Sequence, residues 1–208
     1  MTEAAPLGYH AGMEFTLTLI RGTFAQLCKQ GRFLGKLDPP IHQDGFDMLK
    51  TRICRGDYPM AQAVFSSPLA RCLDSARAIY PNSEIITLES LACFDYGVFA
   101  GKSYSEVAQD KRFKGWATSG QMSAFPGGED PYAFASRCGL AVREVIGCAQ
   151  RYRLERVSVI THRSVIEAIL ARQSVPRHLY ADYHVDHGGG FVTRCKASLQ
   201  SLKVLSRF

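Results

Sequence analysis

Short apolar runs alternate with amphipathic stretches along this chain, and that alternation sets the expected fold. Phe15-Thr16-Leu17-Thr18-Leu19-Ile20 is rich in strand formers and stops at Arg21-Gly22. It reads as a buried strand feeding a loop. Ala63–Phe65, Glu84–Leu88 and Val157–Ile160 repeat the signature, and Phe191–Val204 has room for one or two more strands. Helices are predicted between them. One spans Asp44–Arg55 with Asp44 as its cap, and another spans Leu69–Ile79 with Ser67 as N-cap and Pro68 at the first helical position. In Asp130–Tyr152 the apolar residues Phe134, Cys138, Ala141, Val145 and Cys148 recur at three- and four-residue steps, as one buried helix face requires. Tyr104–Asp110 and Ser164–Ala171 are shorter helices; Leu91–Gly101 is a structured loop, and Phe113–Gly128 reads as irregular.

Strands alternating with helices predict an α/β fold, a three-layer α/β/α sandwich with a mostly parallel central sheet and helices on both faces. No internal repeat or linker divides the chain, so residues 1–208 form a single expected domain, with 1–13 as a flexible N-terminal extension. Ligands of such sheets sit beyond the carboxyl ends of the strands. Arg21, Ser66 and His162 all fall just past a predicted strand end.

The formal charge is +6, but the basic residues are scattered, with no block of five or six like charges. That pattern predicts a solvated basic surface with one anion pocket, and makes nucleic acid an unfavoured partner. No run is apolar enough for a membrane span and the first residues carry no secretory pattern, so the default expectation is cytoplasmic. The seven cysteines are Cys28, Cys54, Cys72, Cys93, Cys138, Cys148 and Cys195. Their odd number and irregular spacing do not describe a disulfide framework or a structural zinc site. No cofactor is expected.

Five segments in order carry a family resemblance. Leu19-Ile20-Arg21 is followed ten residues beyond the arginine by Gly31-Arg32-Phe33-Leu34-Gly35. Ser66-Ser67-Pro68-Leu69-Ala70-Arg71, Pro126-Gly127-Gly128-Glu129 with Arg137 beyond it, Val159-Ile160-Thr161-His162 and Val185-Asp186-His187-Gly188 complete the set. The chain resembles the histidine phosphatase superfamily, in its branch of phosphoglycerate mutases and α-ribazole phosphatases. The resemblance implies a phosphoglycerate mutase-like fold and a phosphate cradle of Arg21, Arg71 and His162, with Arg163 and Cys28 at adjoining ligand positions. Glu129 is expected to tether its loop, and Phe94, Tyr96 and Phe99 to pack beneath theirs.

The same resemblance exposes two departures. The family's nucleophilic histidine falls on Gly22, and its acidic proton donor falls on Cys93. Glycine has no side chain to attack phosphorus, and a thiol donates a proton weakly. Ordinary phosphatase turnover is therefore expected to be absent or very weak. Three readings follow. The favoured one is a non-phosphatase accessory protein that binds a phosphorylated or otherwise anionic small molecule, or a protein partner. The second is an enzyme with altered chemistry in the same pocket, either biosynthetic or assisted by a thiol or by a metal held by Cys28, Cys93 and His162. The third is a structural interaction protein with an occluded pocket, as a monomer or a dimer. His184 and His187 read as solvated loop histidines that could join a metal site.

Overall fold

The computed structural model describes residues 12–25, 27, 31–118 and 124–208. Of the expected N-terminal extension, residues 1–11 lie outside this set, whereas the Met13 carbonyl accepts a 3.0 Å bond from the Ala197 amide. Six strands form one sheet: β1 (Glu14–Arg21), β2 (Ala63–Ser66), β3 (Ile85–Thr87), β4 (Arg156–Thr161), β5 (Gly190–Lys196) and β6 (Ser201–Arg207). Their order is β3-β2-β4-β1-β5-β6. The first four in that order run parallel, and β5 and β6 add antiparallel at one side.

Alternation along β1 explains why helices cover both faces. Phe15, Leu17 and Leu19 are buried in the core that includes Val142, Val145, Ile166 and Ile169. These residues belong to α5 (Pro131–Tyr152) and α6 (Arg163–Gln173). Ile20 points into a second cluster with Leu49, Cys72 and Ala76, contributed by α1 (Gln43–Cys54) and α2 (Ala70–Ile79). The three-layer architecture predicted from the sequence is present. Two small helices, α3 (Tyr104–Val107) and α4 (Lys111–Thr118), lie between α2 and α5 in the chain.

Three local expectations are corrected. Residues 111–118, read within or beside an irregular stretch, form α4, because Phe113 and Trp116 stack onto the aromatic cluster around Phe99 and Phe125. Tertiary packing overrides the weak local signal left by Gly115. The cap of α1 is His42, whose Nδ1 accepts from the Asp44 amide at 3.1 Å, and Asp44 sits in the first turn, where the helix dipole favours a carboxylate. The cap of α2 is Leu69 rather than Ser67. Asp38 satisfies that helix end from outside, accepting from the Ala70 amide at 2.7 Å, and Ser67 is directed elsewhere.

Candidate functional site

Beyond the carboxyl ends of β1, β2 and β4 lies a cavity of about 360 Å3. Its wall includes Arg21, Gly22, Arg71, Cys93, His162, Arg163 and His187. The sequence-derived residues Arg21, Gly22, Arg71, Cys93, His162 and Arg163 therefore meet in one place, whereas His184 stays on the solvent side beside Asp186. Cys28 lies outside the described residues.

The backbone that carries Arg21 and Gly22 is pinned. The Gly22 amide bonds to Thr161 O at 2.9 Å, the Thr23 amide to Ser75 Oγ at 3.0 Å, and the Thr23 hydroxyl to Gly45 O at 3.1 Å. A Cβ on Gly22 would stand 3.0 Å from Cys72 Sγ. Position 22 thus offers the cavity only backbone, and a Cβ there would also stand 3.3 Å from Arg71 O.

Arg71 is buried at the start of α2 and tightly braced. Its guanidinium donates to Leu37 O and Gly35 O, each at 2.7 Å, and Asp38 stands 3.6 Å away. Gly35 has a left-handed φ of +54°, and a Cβ there would come 2.7 Å from Phe94 O, so glycine is required where the loop meets Arg71. A guanidinium carries five N–H donors. Two are consumed by these carbonyls, and the orientation they impose leaves the others preset. Arg21 is braced in a similar way, donating to Val185 O at 2.7 Å.

His162 follows β4 as the N-cap residue of α6 and is 7% exposed. Its Nε2 lies 2.8 Å from Ser67 Oγ, and Cys72 Sγ lies within 3.7 Å of the ring nitrogens. Burial, then the charges of Arg71, Arg137 and Arg21, hold its pKa well below the ordinary histidine value. The ring is therefore neutral at neutral pH. Ser67 Oγ accepts only a long 3.4 Å bond from the Leu69 amide, and its short contact is with the imidazole, which it fixes.

His187, read from the sequence as a solvated loop residue, is drawn into the cavity. Its Nε2 is 2.6 Å from Arg21 Nη2, and its Nδ1 is 3.3 Å from Gly22 O. With Nδ1–H donating to that carbonyl, Nε2 accepts from the arginine. Burial and Arg21 lower its pKa to about 4. Its separation of 166 residues from Arg21 hides the contact from any local reading. The usable signal was the Val-Asp-His-Gly-Gly run directly before a strand.

Cys93 is buried, and its Sγ lies 3.8 Å from Ser164 Oγ. Burial pushes its thiol up despite Arg71, and pushes Cys72 up to about 12. Neither is a ready thiolate nucleophile. Among the described residues no three His, Cys, Asp or Glu side chains gather closely enough to hold a metal ion. The Cys93 loop is held by Arg137, which donates to Ser90 O, Ala92 O and Cys93 O and pairs with both Glu129 oxygens at 2.6 and 2.8 Å. Phe94 and Phe99 are buried in the aromatic cluster below it. Arg163, half-exposed, reaches towards Glu167 at 3.7 Å while lining the cavity.

The sequence model of the histidine phosphatase superfamily (branch 1) matches residues 17–205. The chain belongs to that superfamily. It is 26% identical over 157 residues to phosphoserine phosphatase 1 of Hydrogenobacter thermophilus, covering 74% of this chain and 73% of that one. A phosphoglycerate mutase of Thermus thermophilus superimposes with a TM-score of 0.67 at 25% identity, over 93% of this chain and 98% of that chain. The α-ribazole phosphatase of Shigella flexneri shares the fold with a TM-score of 0.77 at 19% identity, over 92% of this chain and 96% of that chain. Among the described residues no helix is long and apolar enough to cross a membrane.

Proposed function

We propose that this superfamily member binds a small phosphorylated molecule in the cavity between Arg21 and Arg71 and does not hydrolyse it by the phosphohistidine route. One observation carries the reading: two braced arginines and two neutral imidazoles face a space where position 22 has no side chain and position 93 is a protonated thiol. Charge-assisted donors in a recessed pocket favour a phosphoryl group. Two of the relatives described above are phosphatases by name and the third is a phosphoglycerate mutase, which supports the same ligand class. The position of Gly22, directly after the strand-end arginine, corresponds in the superfamily to the histidine that attacks phosphorus. The position of Cys93 corresponds to the carboxylic acid that protonates the leaving group.

The test has two arms. Wild-type protein hydrolyses p-nitrophenyl phosphate no faster than an Arg21→Ala variant. Millimolar orthophosphate raises the melting temperature of wild type, because a ligand that binds only the folded state stabilises it. Arg21-dependent turnover defeats the non-hydrolytic part, and an unmoved melting temperature defeats the binding part.

His187 favours a second reading, an enzyme with altered chemistry. A neutral imidazole whose Nδ1 is fixed by Gly22 O has its Nε2 lone pair on the cavity side, where Arg21 now occupies it. Turnover that survives Arg21→Lys but disappears in His187→Ala would establish that reading.

A further inference from the structure

A second cavity of about 990 Å3 shares no lining residue with the phosphate pocket. It lies between α5, the end of α6 and the β5–β6 side of the sheet. Six basic residues far apart in sequence meet there: Arg143, Arg172, Arg177, Arg194, Lys196 and Lys203. Glu14 is the one carboxylate on the wall, and it is engaged with Lys196 at 3.4 Å. Among the described residues, no side-chain hydrogen bond or ion pair neutralises the other five. The charges that look dispersed along the chain are concentrated by the fold.

The strand register sharpens this. Arg194 stands directly opposite Lys203 in the antiparallel β5–β6 pair, with Thr16 on its other flank. Like charges facing each other across a ladder destabilise it, and no carboxylate on either neighbour relieves them. Gln173, on the same wall, has a buried amide oxygen with no hydrogen-bond partner. Four of the six cations are arginines, whose forked donors fit phosphate oxygens. The volume is that of a small-molecule site, and no aromatic side chain lines it, so a nucleobase would find no stacking platform.

We propose that this cavity is a second anion site, which takes a compact small molecule carrying several phosphate groups. It is independent of the pocket at Arg21 and Arg71. Binding neutralises the Arg194–Lys203 pair, so the ligand removes a repulsion built into the sheet.

Tripolyphosphate, titrated into the full chain at physiological ionic strength, serves as the probe, followed by amide NMR and calorimetry. Amides of residues 173–177 and 194–203 shift on addition. The Arg177→Glu/Arg194→Glu variant, altered at two exposed positions, binds at least about tenfold more weakly because two phosphate-pairing charges are reversed. Shifts confined to residues 21–23 and 31–35 would mean that the probe occupies only the phosphate pocket, and would overturn the second site. Unaltered affinity in the double variant would also overturn it. Tighter binding of a single-stranded oligonucleotide than of tripolyphosphate would overturn the ligand class. Loss of shifts at residues 21–23 alone would count against the first pocket and leave this site standing.

Discussion

The two sides of the phosphate pocket are built to different standards. On one side Arg71, His162 and Ser67 are almost fully buried, and each is fixed by a bond to the scaffold: two loop carbonyls for the arginine and a hydroxyl for the imidazole. On the other side Arg21 and His187 are only part-buried; each has a backbone carbonyl partner, Val185 O and Gly22 O, and they also contact each other beside a glycine that contributes backbone alone. The first side is continuous with the core under α2 and β4. The second depends on a loop arriving from far along the chain. Groups that hold an anion on the first side are thus integrated into folding, whereas the second, more peripheral side draws on the distant loop that carries Val185 and His187.

Placing a histidine and a carboxylate on the peripheral side is the strongest way to break this contrast. The variant Gly22→His/Cys93→Glu, with Cys72→Ala to clear the 3.0 Å approach to a Cβ at position 22, is expected to gain p-nitrophenyl phosphate turnover of about a thousandfold over wild type. A folded triple variant that binds phosphate yet stays inert would show that the groups at positions 22 and 93 are not what limits turnover. Removing the integrated side comes next in size. Arg71→Ala orphans the buried Gly35 carbonyl and removes the part-buried bond to Leu37 O; at about 1–3 kcal/mol for the unsatisfied buried group and about 1 kcal/mol for the other bond, a loss of about 2–4 kcal/mol is expected in denaturant unfolding. The orthophosphate-induced rise in melting temperature disappears with it. Arg21→Ala should cost less than half as much, and an equal loss would erase the distinction.

Much of this was legible from residue order. Strand and helix positions follow from apolar periodicity, and Arg21, Arg71 and His162 stand at strand or helix ends that the sheet must bring together. What stayed hidden depended on long-range competition for a side chain. Ser67 has every local mark of a helix cap, but His162, 95 residues later, takes its hydroxyl. His187 reads as a loop residue until β5 pairs with β1 and sets it against Arg21. The helix α4 is concealed by its glycine and revealed only by the aromatic cluster that it joins. The basic cavity could not be read at all, since its charges come from four separated segments.

Acid supplies a smaller test of the peripheral side. His187 has a folded pKa near 4, below the ordinary value of about 6.5. The unfolded chain therefore takes up a proton first as pH falls. Its contribution to stability is complete above about pH 6.5 and is lost on the way down through about pH 4. Allowing for solvent screening, the loss is up to about 2 kcal/mol. His187→Gln should flatten the melting temperature between those limits, and an unchanged slope would move the titration to another group. The smallest effect concerns thiols. Iodoacetamide at neutral pH should label exposed Cys54 well ahead of buried Cys72 and Cys93, whose thiols burial keeps protonated. Early labelling of Cys93 would revive a thiol-based reaction.

Arg137 has a broader meaning for how such a protein changes over time. It grips the segment carrying position 93 through the carbonyls of residues 90, 92 and 93, so the segment's path is dictated by main-chain atoms that every amino acid supplies. The tool mounted there can be swapped without rebuilding its holder. A change of side chain at position 93 therefore leaves the grip of Arg137 on the segment in place.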